Sequence, residues 1–224
     1  MNNLREVLKL YAVTDRPLCE ATFSSRESPL PIEDVDAVAH LTALAINGGV
    51  TIVQLREKQV EDESFLCRAL ALKTVTDSMG VPLIINDNVF VALESGASGV
   101  HLGQSDADIP KARKVLPSTS IIGASVHSVE EALRAEAEGA DYLGVGALFP
   151  TGTKTDVCQT SIQTLRHICA SVQIPVVGIG GISVERIALL GGSGIAGVAV
   201  VSALFGYTDC MEQARKLRAA VDSL

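Results

Sequence analysis

Two carboxylates set the chemistry this chain could perform. Asp87 closes the run Leu83-Ile84-Ile85-Asn86-Asp87, and Asp106 closes Gly99-Val100-His101-Leu102-Gly103-Gln104-Ser105-Asp106. Each run reads as a buried parallel strand with a polar tip. The short helix expected between them, Asn88 to Ser95, brings both tips to one sheet edge through a right-handed crossover. Acidic oxygens converging in this way suit a hard cation such as Mg2+, which takes oxygen ligands and keeps water or a substrate phosphate in its other positions.

Cations and hydroxyls gather on the same side. In Gln54-Leu55-Arg56-Glu57-Lys58 the period of two puts Gln54, Arg56 and Lys58 on one face and Leu55 and Glu57 on the other. An amide and two cations facing one way suit an anion better than an ordinary charged strand end. Ser125 shares a strand face with Gly123 and His127. Its hydroxyl suits a phosphate, whereas Ser128 is the better-placed cap for the helix that follows. His101 and His127 read as structural histidines. Glycines near strand ends, Gly103, Gly144, Gly146, Gly178 and Gly180, suggest side chains removed to admit a ligand.

Two further stretches complete the inventory. Phe149-Pro150-Thr151-Gly152-Thr153-Lys154 has two hydroxyls, a flexible glycine and a cation, a composition able to close over an anion. Gly180-Gly181-Ile182-Ser183 and Val201-Ser202 fall where barrels commonly hold phosphate after their seventh and eighth strands. Two anionic ligands facing each other imply a transfer or condensation more naturally than an isomerisation.

The elements that must position these residues alternate along the chain. Strands are expected at Lys9 to Asp15, Thr51 to Glu57, Pro82 to Asp87, Gly99 to Gly103, Ser120 to Val126, Tyr142 to Gly146, Ile174 to Gly180 and Gly197 to Ser202. Helices are expected between them and after the last. Eight such units predict α/β architecture, a single (β/α)8 TIM barrel over residues 1–224, near the compact end of a fold of about 250 residues. A doubly wound sheet is the competitor, but Gly178-Ile179-Gly180-Gly181 breaks the dinucleotide fingerprint and comes too late in the chain. Arg16 to Ile32, with three prolines and no evident helical period, is expected to be a loop insertion after the first strand, mobile or disordered.

Composition narrows the partners. A formal charge of -8 without a Lys/Arg run argues against nucleic acid or an anionic membrane, so an anionic substrate has to be drawn by local cations. The chain has no tryptophan and few stacking platforms for single-stranded nucleic acid. Its longest apolar run, Ile195 to Phe205, is too short to span a bilayer, and no leader pattern opens it. A soluble, cytoplasmic protein is expected, with homo-oligomer formation left open. Five widely spaced cysteines read as reduced thiols.

Together these stretches, with Leu10-Tyr11-Ala12-Val13-Thr14-Asp15, Ser125-Val126-His127, Gly139-Ala140-Asp141-Tyr142 and Val198-Ala199-Val200-Val201-Ser202, resemble the thiamine phosphate synthase family along nearly the whole chain. The resemblance implies a transferase of thiamine biosynthesis. It would condense hydroxymethylpyrimidine diphosphate with hydroxyethylthiazole phosphate, or its carboxylated form, and release pyrophosphate. It assigns the pyrimidine diphosphate to Gln54, Leu55, Arg56, Glu57, Lys58, Asn86, Ser125 and Lys154, with Arg56, Lys58, Ser125 and Lys154 catalytic. Mg2+ falls to Asp87 and Asp106, and the thiazole phosphate to Thr151, Gly152, Thr153, Gly181, Val201 and Ser202. The chain departs from the family pattern at Arg16 to Ile32 and at Val184-Glu185-Arg186. The alternatives are a thiazole tautomerase of the same superfamily, which has no diphosphate to expel, and a non-catalytic sensor of thiamine precursors.

Overall fold

The computed structural model describes residues 4–25, 36–104, 108–151 and 159–224. Eight strands run parallel: β1 (Leu10–Val13), β2 (Ile52–Leu55), β3 (Leu83–Asn86), β4 (Gly99–Leu102), β5 (Ile121–Val126), β6 (Tyr142–Val145), β7 (Val176–Ile179) and β8 (Gly197–Val200). Each pairs with its neighbours in sequence, and β8 pairs with β1, so the sheet closes into a barrel. This is the (β/α)8 architecture expected from the alternation.

The helices are α1 (Leu4–Val7), α2 (Arg16–Ser24), α3 (Ala37–Asn47), α4 (Asp62–Ser78), α5 (Val89–Ser95), α6 (Ile109–Val115), α7 (Val129–Ala137), α8 (Ile162–Ser171), α9 (Val184–Ile187), α10 (Ser202–Phe205) and α11 (Cys210–Asp222). Several begin on a side chain supplied by the strand-to-helix loop. Asn88 accepts from the Val91 amide at 2.9 Å, Ser128 from Glu131 at 3.2 Å and Ser161 from Thr164 at 3.0 Å. Each bond satisfies an amide that the first helical turn leaves open.

The period of two along each strand separates two cores. Leu10, Ala12, Val53, Leu55, Leu83 and Ile85 face outward and pack beneath the helices with Leu41, Phe65 and Leu72. Tyr11, Val13, Ile52, Ile84, Tyr142, Val177 and Ala199 fill the barrel interior, so the interior is packed rather than open.

The loop expected at Arg16 to Ile32 is corrected over its first half, since α2 occupies Arg16–Ser24. Asp15 caps it by accepting from the Leu18 amide at 3.2 Å, and Pro17 lies in its first turn, where a missing N–H costs nothing. Cys19, Thr22 and Phe23 form its buried face. Proline was read as a break where its position makes it a start. The remainder of that segment, together with Asp106, Gly152, Thr153 and Lys154, lies outside the described residues.

Candidate active site

The carboxyl ends of the strands open onto one pocket, lined among others by Gln54, Arg56, Asn86, His101, Ser125 and His127 from β2 to β5. The opposite wall carries Thr151, Gly181, Ile182, Val201 and Ser202, from the loops after β6, β7 and β8.

At the β1–β2 corner the first strand sets the second. The Thr14 hydroxyl accepts from the Arg56 amide at 3.0 Å, and Asp15 meets the Arg56 guanidinium at 3.5 Å. Asp15 thus caps α2 and orients Arg56 with one carboxylate. Behind the strand, Glu57 accepts from Arg16 at 2.8 Å and from Arg68 at 2.7 Å, with its side chain only 3% exposed. A carboxylate so enclosed requires its partners, because an unpaired buried charge is strongly destabilising. Arg16 also reaches Asp36, the cap of α3. The network fastens α2, α3 and α4 to the strand that carries Arg56.

At the end of β3, Asp87 adopts a left-handed backbone with φ of 63°, a conformation that aspartate tolerates better than most residues. Its amide donates to the His101 carbonyl at 2.8 Å, and Asn86 donates to its carboxylate at 2.5 Å. The turn leaves the Asp87 side chain exposed at the strand end. Gln104 donates to the Ser125 carbonyl at 2.6 Å and accepts from Arg134 at 2.6 Å, which ties Gln104 to β5 and α7.

Across the pocket floor, side chains from five strands join. Gln54 Nε2 donates to the Tyr11 hydroxyl at 2.9 Å, and the Tyr11 and Tyr142 hydroxyls lie 2.8 Å apart. His101 meets Tyr142 through Nδ1 and Ser125 through Nε2, both at 2.9 Å. Burial pushes both phenol pKa values up, so the two tyrosines stay neutral.

The β6–β8 wall is made differently. Gly181 sits at φ of 62°, and a Cβ there would stand 2.5 Å from the Pro150 carbonyl oxygen; only glycine lets the β6 and β7 loops approach so closely. Arg186 donates to the Gly181 carbonyl at 2.6 Å and lies over the Phe149 ring, 5.3 Å from its centroid.

With this geometry in view, the comparisons with known proteins are informative. Residues 30–204 match the family model for thiamine monophosphate synthase. The chain belongs to that family. It is 51% identical over 173 residues to a thiamine-phosphate synthase of Ruminiclostridium cellulolyticum, covering 77% of this chain and 82% of the relative. A thiamine-phosphate synthase of Clostridium tetani is 41% identical over 97% of both chains. Among solved structures, the thiamine phosphate pyrophosphorylase from Pyrococcus furiosus superposes with a TM-score of 0.84 at 37% identity, covering 99% of this chain and 98% of that one.

Of the residues that the thiamine monophosphate synthase resemblance assigned, Gln54, Arg56, Asn86, Ser125, Thr151, Gly181, Val201 and Ser202 share the pocket. Leu55 and Glu57 are corrections: Leu55 is fully buried among outward-facing core residues, and Glu57 is clamped between arginines behind the strand. Neither side chain faces the pocket. Lys58 is exposed past the end of β2.

Sequence reasoning missed Tyr11 and Tyr142, and it set His101 and His127 aside. Inward-facing polar residues at strand positions otherwise filled by valine and isoleucine were the available signal. His127 also has a carboxylate four residues on, Glu131, which accepts from its ring at 3.2 Å and its amide at 2.7 Å. The ligand-admitting reading of the glycines is corrected at Gly144, and Gly123 behaves in the same way. A Cβ at Gly123 would fall 2.1 Å from the Tyr142 ring, and one at Gly144 would fall 3.1 Å from His101. Those glycines make room for the protein's own rings.

Proposed function

We propose that this chain joins hydroxymethylpyrimidine diphosphate to hydroxyethylthiazole phosphate, or its carboxylated form, yielding thiamine phosphate and pyrophosphate. The observation that carries the reading is the meeting in one pocket of Gln54, Arg56, Asn86 and Ser125 with Thr151, Gly181, Val201 and Ser202. The first group, with Lys58 and Lys154, holds the diphosphate. The second, with Gly152 and Thr153, holds the thiazole phosphate.

Breaking the carbon–oxygen bond sends its electron pair onto the diphosphate and leaves a pyrimidine methylene cation, stabilised by the electron-rich aminopyrimidine. The thiazole nitrogen then closes the new carbon–nitrogen bond with its lone pair. No proton has to move, so the protein's task is to stabilise charge rather than to act as a general base. Arg56 and Lys154 oppose the growing negative charge, and Ser125 donates to it; fixed donors of this kind are commonly the largest single contribution to catalysis.

Asp87 fits a cation site, since its turn presents an exposed carboxylate beside the Asn86 amide, an oxygen donor suited to a hard ion. Asp87 and Asp106 would hold Mg2+, which when bound supplies charge neutralisation at the diphosphate.

The test is to mix the purified chain with both substrates and Mg2+ and to follow pyrophosphate and thiamine phosphate together. Stoichiometric release of both is expected, abolished by a chelator. Isomerisation of the carboxylated thiazole without pyrophosphate would make it a tautomerase, and saturable binding without turnover a sensor; either outcome overturns the proposal.

A further inference from the structure

The hydrogen-bonded line across the pocket floor has a direction. It runs from Gln54 on β2 through Tyr11 on β1, Tyr142 on β6 and His101 on β4 to Ser125 on β5. β1 and β6 are not adjacent in the barrel, so the link between the tyrosines spans the interior. The packing is shaped to permit it. Gly123 leaves space for the Tyr142 ring, and Gly144 leaves space for His101.

Counting protons along the line gives the direction. An amide nitrogen only donates, and a neutral phenol has a single proton. With Gln54 Nε2 donating to Tyr11, the arrangement in which each phenol accepts one bond of the line and donates the next sends the Tyr11 proton to Tyr142 and the Tyr142 proton to His101 Nδ1. That ring nitrogen must therefore be bare. The ring proton is then on Nε2, which donates to the Ser125 oxygen. Ser125, having accepted, turns its own proton toward the pocket, and Gln54 keeps its carbonyl as an acceptor. Turning the Gln54 amide over would reverse every bond and spend the serine proton on His101, leaving no donor for an anion.

We propose that Tyr11, Tyr142 and His101 are positioning residues forming a one-way chain, which commits the Ser125 hydroxyl to donate into the pocket and ties that commitment to the orientation of Gln54. The kinetic part of this inference rests on the reading that Ser125 meets the leaving diphosphate; the direction of the chain does not. The two tyrosines lie on the pocket floor and act by fixing the tautomer of one histidine and the rotor of one serine.

Nitrogen NMR of the full chain labelled at histidine, without ligand and at neutral pH, tests the direction alone. The His101 signal is identified by its loss in His101→Gln. The expected spectrum shows His101 neutral, with Nε2 protonated and Nδ1 bare. An Nδ1-protonated tautomer or an imidazolium would overturn the proposal, whether or not the chain makes thiamine phosphate.

The second arm is kinetic. Tyr142→Phe removes the donor to Nδ1 and should lower kcat about tenfold, in keeping with one hydrogen bond to a charged group, with KM values within about twofold. Adding Ser125→Ala to Tyr142→Phe should then cost less than Ser125→Ala costs alone, because the two act as one unit. Equal losses from Ser125→Ala in both backgrounds would overturn the coupling. If the parent chain releases no pyrophosphate, the functional reading fails, while the tautomer still decides the direction.

Discussion

One wall of the pocket works through side chains and the other through backbone. From β1 to β5 the lining is polar, and nearly every group is held by another: Arg56 by Asp15, Asn86 against Asp87, and Gln54 and Ser125 through the two tyrosines and His101. From β6 to β8 the lining is mostly glycine and aliphatic, with Gly144, Gly146, Val177, Ile179, Gly181, Ile182 and Val201 among it, and its polar side chains are Tyr142, Thr151 and Ser202. The contrast matches what each wall is asked to do. In the proposed reaction negative charge grows on the diphosphate, so oriented cations and hydroxyls gain strength as the bond breaks. In that reaction the thiazole phosphate keeps its charge throughout, so a wall of main-chain groups and a few hydroxyls would bind it equally well before and during the chemistry.

The largest effect that tests this contrast comes from the side-chain wall. Arg56→Ala should lower kcat and kcat/KM together by about 10²- to 10³-fold, the loss usual for one preorganised donor at a developing charge. Circular dichroism should stay unchanged, since Glu57 and its two arginines still brace the strand. A rise in KM alone would mean that Arg56 binds ground and transition states alike, and the contrast between the walls would disappear.

Gly181→Ala is the matching experiment on the backbone wall. The added methyl meets the Pro150 carbonyl at 2.5 Å in a left-handed conformation, so the β6 and β7 loops must part. The KM for the thiazole phosphate should rise about tenfold, with kcat within about twofold, because uniform binding is lost rather than transition-state binding. Steady-state kinetics with the thiazole partner varied at saturating diphosphate reads both numbers. A fall in kcat with unchanged KM would show that this wall too takes part in the chemical step.

The same division explains what the sequence could and could not disclose. The barrel was legible because apolar runs and helical spacing alternate eight times, a pattern set by local periodicity. Gln54, Arg56 and Ser125 were legible as pocket-facing because a strand's period of two assigns faces without any knowledge of neighbours, whereas Asn86 came only with the family resemblance. Glu57 was misassigned to the ligand by resemblance, although that same period had put it on the back of the strand; its partners Arg16 and Arg68 are 41 and 11 residues away. Tyr11 and Tyr142 are 131 residues apart, and only closure of the barrel makes them one unit. For the same reason Gly144 read as space for a ligand, when the ring beside it, that of His101, comes from β4. In α2 the error was local: Asp15 and Pro17 form a helix start, and the prolines further along the segment obscured it.

Arg186 offers the smallest test and the sharpest one. It braces the backbone wall from behind by donating to the Gly181 carbonyl and covering Phe149. A partly exposed guanidinium over an aromatic ring contributes about 0.5–1 kcal/mol, and its hydrogen bond adds about as much. Only part of that total of about 1–2 kcal/mol reaches the phosphate site through the turn, so Arg186→Ala should raise the KM for the thiazole phosphate about three- to tenfold and leave the KM for the diphosphate unchanged. The double variant with Gly181→Ala should show less than the product of the two losses, since both loosen the same turn. Multiplying effects would place Arg186 on the ligand itself, as a cation in direct contact, and the backbone wall would then contain a charged side chain after all.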